Sequence, residues 1–211
     1  MLVVKEDDPN ALTLACRYLN AGRIIAFATD TTYGLAVDAA HFAAIESLYK
    51  IKKRDEKKPF AIFVKTLATA KKIFFFDETA EKIARKFFPG KLTMVLKKRP
   101  ESALIIAANL NKNNDEFLGF RILNHKFTRS LLRKFDGILA VTSANISNEE
   151  SARSPEQVEK YFADSELGLL IFGETFKKSA HSTVVKISDN QLTILRHGAL
   201  NLGDALTSSQ H

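Results

Sequence analysis

Short apolar runs, among them Ile24–Ala28, Phe60–Val64, Ile138–Thr142 and Leu169–Phe172, recur along the chain, and the stretches between them carry an apolar residue every three or four positions. The runs have the length of buried strands and the intervening stretches the period of amphipathic helices. A chain that alternates the two has few ways to bury both, and the economical one is helices laid on a sheet. The expected class is therefore α/β, a twisted, largely mixed sheet flanked by helices. Helices are expected over residues 9–21, 39–52, 67–73, 78–88, 126–135 and 155–162. Leu2–Val4, Leu92–Leu96, Phe117–Ile122, Thr183–Ile187 and Leu192–Leu195 complete the strands. Asp8 is placed to cap the first helix with Pro9 in its first turn, and Gly22 to end it. Phe42, Ile45 and Leu48 form the buried stripe of the second helix. Asp30–Asp38 reads as a loop.

No linker divides the sequence, so one domain is expected over residues 1–206, with a polar, frayed tail at 207–211. Cys16 is the only cysteine, which excludes an internal disulfide and any zinc site built on cysteines. No apolar run approaches the roughly 20 residues that cross a bilayer, and acidic residues interrupt the start of the chain before a signal-peptide core develops. A cytoplasmic protein without a membrane partner is the expectation. The net charge of +7 is unevenly spread: residues 1–135 hold 25 Lys and Arg against 14 Asp and Glu, whereas residues 136–211 hold 6 against 10. If the fold gathers these basic clusters on one face, phosphate-bearing partners are drawn to it.

Phosphate-binding glycine loops, a hydrolase elbow and metal-ligand histidine spacings are all missing. What remains is four polar clusters at strand or helix edges. Thr29-Asp30-Thr31-Thr32-Tyr33-Gly34-Leu35 follows a buried strand, where α/β proteins present hydroxyls and amides to ligands. Lys50–Pro59 packs six positive charges into nine residues, Lys50 to Lys58. Arg54 there can fork onto a phosphate, and Lys52 can supply a point charge. Thr142–Ser147 and the pair Ser182–Val185 with Arg196–Ala199 complete the set. Each cluster alone reads equally well as a turn held by its own side chains.

The order and spacing of the clusters resemble the YrdC/Sua5 family over about residues 8–200. Thr29–Leu35 is similar to its P-T-[DE]-T-x-Y-G-L segment, and Leu48–Pro59 to L-Y-x-x-K-x-R…P, with Lys52 and Arg54 in the K-x-R places. Phe88–Thr93 is similar to F-x-P-G-P-L-T and Gly119–His125 to G-x-R-x-P-x-H. Thr142–Asn145 resembles the S-x-N element, Ser182–Val185 S-T-V-V, and Arg196–Ala199 R-x-G-A. The resemblance implies a twisted open sheet with a basic concave surface. It also implies synthesis of threonylcarbamoyl-AMP and pyrophosphate from L-threonine, bicarbonate and ATP, with Mg²⁺ carried mainly by the triphosphate and no protein metal ligand certain. The threonylcarbamoyl group is then moved by other proteins to adenosine 37 of tRNA.

On this resemblance Lys52 and Arg54 are the catalytic pair at the ATP phosphates, and Lys58, Ser143, Asn145 and Arg196 join them in holding the nucleotide. Thr31, Thr32, Tyr33, Arg121 and Ser182 would bind threonine, Arg121 through its carboxylate. Ala28, Lys91, Leu123 and His197 depart from the family's prolines, Asp55 from the residue after K-x-R, Lys186 from an aspartate, and Phe63 from a histidine of some long relatives. Asp55 is expected to compete with phosphate for Arg54. No extra C-terminal domain of the longer Sua5 type is expected. The competing reading is a non-catalytic module of the same fold that binds double-stranded RNA or tRNA.

Overall fold

A computed structural model describes residues 1–112, 116–177 and 181–202; the expected tail lies outside them. The strands are β1 (Leu2–Lys5), β2 (Ile24–Ala28), β3 (Tyr33–Asp38), β4 (Ala61–Phe63), β5 (Leu92–Lys97), β6 (Phe117–Arg121), β7 (Leu139–Ser143), β8 (Leu167–Phe172), β9 (Thr183–Ser188) and β10 (Gln191–Arg196). The helices are α1 (Ala11–Asn20), α2 (Phe42–Lys52), α3 (Leu67–Ile73), α4 (Glu78–Phe87), α5 (Lys126–Phe135) and α6 (Pro155–Phe162). One mixed sheet runs β1-β8-β2-β3-β7-β4-β6-β5-β9-β10. Its β1–β8, β8–β2, β4–β6 and β5–β9 pairs are parallel and the others antiparallel.

The expected α/β class holds, with four local corrections. Residues Tyr33–Asp38 are a strand, not a loop; Tyr33–Val37 are buried, because β2 and β7 pair with them on either side. The true loop is only Thr29–Thr32. α1 begins two residues late: Asp8 accepts the Asn10 N–H at 2.7 Å in the preceding turn, and Asn10 occupies the cap position. α2 begins at Phe42 because His41 caps it, its Nδ1 accepting the Ala44 N–H. At this first position Phe42 is 59% exposed rather than buried. Two 3₁₀ turns, Pro100–Leu104 and Ala108–Asn111, have no counterpart in the sequence reading, since such short turns lack a helical period.

Strand alternation sorts side chains to two faces. On β2, Ile24, Ala26 and Ala28 enter the larger core, while Ile25 and Phe27 enter a smaller one with α1 and α5. The same alternation has a different result on the half of the sheet that α1 and α5 do not reach. There Ile62, Met94, Phe120 and Val185 point into the larger core. Ala61, Phe63, Thr93, Val95, Gly119, Arg121 and Val184 point the other way and floor a cavity.

Candidate functional site

The cavity has a volume of about 480 Å³. Three loops and the β9–β10 edge surround its floor. The first loop, Thr29–Thr32, is buried, so its backbone polar groups need partners within the protein. Thr29 supplies them: its hydroxyl donates to the Thr32 carbonyl at 2.7 Å and accepts the N–H groups of Thr31 and Thr32 at 3.1 and 3.3 Å. The Thr31 hydroxyl is left between Thr29 Oγ1 at 3.0 Å and Arg121 Nη1 at 3.3 Å.

Asp30 links this loop to the end of β6. Its Oδ1 accepts from Arg121 Nη2 at 2.5 Å and its Oδ2 from the Asn124 N–H at 3.2 Å, and both side chains of the ion pair are 7% exposed. Arg121 Nε has no hydrogen-bond partner although it is buried, and the guanidinium lies 5.6 Å from the centre of the Phe63 ring. Arg121 therefore reaches the cavity already paired to a carboxylate of this chain.

The second loop follows α2. Lys53 ends the helix in a left-handed conformation (φ 48°), which turns the chain so that Arg54 heads into the cavity wall. Arg54 donates from Nε to the Lys58 carbonyl at 2.9 Å and from Nη2 to the Pro59 carbonyl at 3.1 Å. The guanidinium also lies over Phe60. Asp55 does not take the guanidinium as expected; its Oδ1 accepts the Lys57 N–H at 2.9 Å within its own turn. Lys58 contributes its carbonyl to Arg54, while its side chain is exposed and outside the cavity lining.

The third loop, Ser143–Ser147, is held on the end of α2. Ser147 gives both its N–H (3.1 Å) and its hydroxyl (2.8 Å) to the Lys52 carbonyl, which the helix end would otherwise leave unsatisfied. The Lys52 side chain is 2% exposed and sits behind the cavity wall. Its ammonium donates to the Ser143 carbonyl at 2.8 Å, to Asn145 Oδ1 at 2.5 Å and to Ser143 Oγ at 3.4 Å. Ser143 Oγ also donates to Asn145 Oδ1 at 2.6 Å. Burial, with Arg54 adding to it, pushes the Lys52 pKa down to about 7. Lys52 and Asn145 thus support Ser143, and of the three only Ser143 lines the cavity.

The last wall joins two residues assigned to different substrates. Arg196 donates to the Ser182 carbonyl from Nη2 at 2.9 Å and to the Ser182 hydroxyl at 3.1 Å. That hydroxyl is 2.7 Å from Thr93 Oγ1. Gly198 lets this segment pass close by: a Cβ there would lie 2.5 Å from the His181 oxygen and the Ser182 carbonyl carbon.

Thr31, Thr32, Arg54, Arg121, Ser143, Ser182 and Arg196 therefore surround one cavity, as their placement in one pocket required. Tyr33 lines it too, but its hydroxyl accepts the Gly173 N–H at 3.0 Å and donates to the Glu174 carbonyl at 3.1 Å, so this group ties β3 to the end of β8. Sequence reasoning assigned no role to Thr29, Asp30, Phe60, Gly119 or His181, all of which line the cavity or, for Asp30, hold a residue that does. The Thr-Asp-Thr pattern carried a signal for the first two. Gly119 and Phe60 emerge only once the register is known.

The Sua5_yciO_yrdC family model, described as "Telomere recombination", matches residues 17–198. The putative threonylcarbamoyl-AMP synthase of Methanocaldococcus jannaschii is 31% identical over 196 residues, covering 93% of this chain and 89% of that protein. The human threonylcarbamoyl-AMP synthase is 32% identical over 196 residues, covering 89% of this chain and 67% of that protein. The structure of P. abyssi Sua5 complexed with L-threonine superposes with a TM-score of 0.88 at 25% identity, covering 99% of this chain and 60% of that one. With the matched model spanning most of its length, and with one cavity gathering the clusters at these spacings, this chain belongs to the Sua5/YciO/YrdC family.

Proposed function

We propose that this chain makes threonylcarbamoyl-AMP and pyrophosphate from L-threonine, bicarbonate and ATP, for modification of adenosine 37 in tRNA. The observation that carries the reading is the gathering of Arg54, Arg121, Ser143, Ser182 and Arg196 around a single cavity, with Lys52 bonded to Ser143 behind it. The names of the relatives support the same reaction.

Carbon dioxide from bicarbonate adds to the threonine amine, which loses a proton, and a carbamate oxygen then attacks the α-phosphorus of ATP. The bond from that phosphorus to the bridging oxygen breaks, and pyrophosphate departs with the electron pair. Two anions must meet, so the site's task is to neutralise and align them. Arg54 and Ser143 lie on the wall assigned to the phosphates, with Lys52 and Asn145 holding Ser143 in place, and Arg196 borders the nucleotide. Thr31, Thr32 and Ser182 offer hydroxyls to threonine. Arg121 faces its carboxylate with the guanidinium edge that Asp30 leaves over. No side chain is required as a covalent nucleophile, as in other transfers from ATP phosphates.

Asp30, the carboxylate of the first loop, is already bonded to Arg121 and Asn124. No group of three His, Cys, Asp or Glu suited to a metal occurs among the described residues. We infer that Mg²⁺ enters as part of the Mg–ATP substrate, held mainly by the triphosphate. No helix among the described residues is long and apolar enough to cross a membrane.

The test is pyrophosphate release from ATP, measured with and without threonine and bicarbonate. Release that requires both, and that Arg54→Ala abolishes in a folded protein, is the expected result. RNA affinity that falls steeply with salt, accompanied by no ATP turnover, would replace this reading with the RNA-binding one.

A further inference from the structure

Arginines, hydroxyls and apolar groups line the cavity, and among the described residues no carboxylate, lysine or cysteine joins them. The proposed reaction nevertheless releases acid. Threonine enters as an ammonium, and in the net step its nitrogen bonds to the carbon of bicarbonate while the carbon–hydroxyl bond breaks. Two amine protons are lost. One departs with the hydroxyl as water, and the other must be carried away by a base that is free to accept near neutral pH.

Three groups at or behind the wall are already committed. The Lys52 ammonium lies behind Ser143 and is bonded to Ser143 and Asn145. Both oxygens of Asp30 are taken, by Arg121 and Asn124. The Tyr33 hydroxyl donates to the Glu174 carbonyl, and burial makes it a still weaker acid, so it keeps its proton. His181 remains. It lines the cavity and is exposed on its outer side, and its ring forms no hydrogen bond with another described residue. It directly precedes Ser182, whose hydroxyl is assigned to threonine, and the Ala199 N–H fixes its carbonyl at 2.9 Å. We propose that His181 is the general base that takes this proton from the threonine amine and passes it to solvent. The inference rests on the synthetic reading above and deepens it. Burial, with the Arg196 charge on β10 adding to it, holds the imidazole below its ordinary value, so the ring is neutral and able to accept at pH 7. The other titratable groups of the adjoining segments are turned to other work or to solvent: Lys186 on β9 lies over Phe117, and Lys91 and His197 are exposed.

The experiment follows threonine- and bicarbonate-dependent pyrophosphate release across about pH 5.5 to pH 9 in the wild type, His181→Ala and His181→Asn. Calorimetric binding of ATP and threonine and the melting midpoint accompany each rate. The wild-type kcat should fall as pH drops below the ordinary histidine value of 6.5, because the protonated ring cannot accept, and should level off above it. Both variants should lose about a hundredfold or more in kcat at pH 7, while their affinities stay within about threefold of the wild type. Their rates should keep rising toward pH 9, where the free amine needs no base, and added imidazole should return at least about a tenth of the wild-type rate to His181→Ala. Variants as fast as the wild type at pH 7, or a deficit that neither pH nor imidazole moves, overturn the base and leave the function standing. The wild-type profile needs no variant: a kcat that stays flat below pH 6.5 overturns the base by itself. A wild type that releases no pyrophosphate overturns both.

Discussion

Replacing Lys52 by Met tests the least ordinary feature of the site, an ammonium 2% exposed whose pKa is pushed down to about 7. In the unfolded chain the same lysine titrates near its ordinary value of 10.5. Through the window between the two values the unfolded state binds more protons than the folded one, so this group makes stability rise with pH. Between pH 6 and pH 9 the rise is on the order of 3 kcal/mol, and burial leaves little solvent screening to discount it. For a chain of this size that corresponds to a melting shift on the order of 6 °C. Lys52→Met keeps the aliphatic stem and loses the titration. Its lost hydrogen bonds to Ser143 and Asn145 remain lost at every pH, and the other titrating groups are common to both proteins. Urea unfolding of both at pH 6 and pH 9 should therefore show the wild type gaining on the variant by that amount as pH rises. A gap between them that stays constant would mean that Lys52 is charged throughout, and the burial argument would fail. Saturating ATP should flatten the wild-type slope, because a nearby polyanion favours the charged lysine.

Gly198→Ala drives a Cβ to 2.5 Å from the His181 oxygen and the Ser182 carbonyl carbon. It should lower stability by roughly 1–3 kcal/mol, as overpacking does, and weaken ATP binding by displacing Arg196, both read by unfolding and calorimetry. Tyr33→Phe leaves the Gly173 N–H and the Glu174 carbonyl without their partner and should cost about 1–3 kcal/mol in urea unfolding; an unchanged midpoint would refute the tie between β3 and β8. Asp30→Ala strands the buried Arg121 charge and should cost about 3–5 kcal/mol; threonine titration should show weakened binding as the two loops separate, and a variant as stable as the wild type would rule out the ion pair's structural role.

The sequence made the strands and their sides legible because alternation and burial are local properties. Ile24–Ala28 and Ile138–Thr142 announced themselves as buried runs, and each polar cluster was correctly placed at a strand or helix edge. What misled was Tyr33–Asp38. Its glycine and its neighbouring threonines are turn residues, and only the pairing of β2 and β7 on either side makes the segment a strand. Phe42 looked like part of a helical stripe because nothing in the sequence marks His41 as the cap that starts the helix at that residue. Within the site, which residues converge was readable from family spacing, whereas what each polar group bonds to was not. Lys52 was expected to face phosphate and instead lies behind Ser143. Arg121 was expected to meet the threonine carboxylate, and nothing in the sequence showed that it also holds Asp30, about 90 positions distant in the chain. Such pairings depend on strand order, which periodicity does not encode.

The charges around the cavity explain why those hidden pairings matter. Arg54, Arg121 and Arg196 line one wall or another, and only Arg121 is matched by a buried carboxylate. Arg54 and Arg196 are held by carbonyl oxygens of Lys58, Pro59 and Ser182, acceptors that fix the geometry of a guanidinium without cancelling its charge. The Arg121 side of the cavity is thus electrically balanced, while the walls formed by Arg54 and Arg196 keep their positive charge. A carbamate and a triphosphate need that division, because a uniformly cationic pocket would bind both reactants in any orientation and favour none. A triphosphate bound beside Ser143 would favour the charged form of Lys52, whose proton burial holds loosely. The titration of this buried ammonium, rather than its mere presence, is therefore the property to measure.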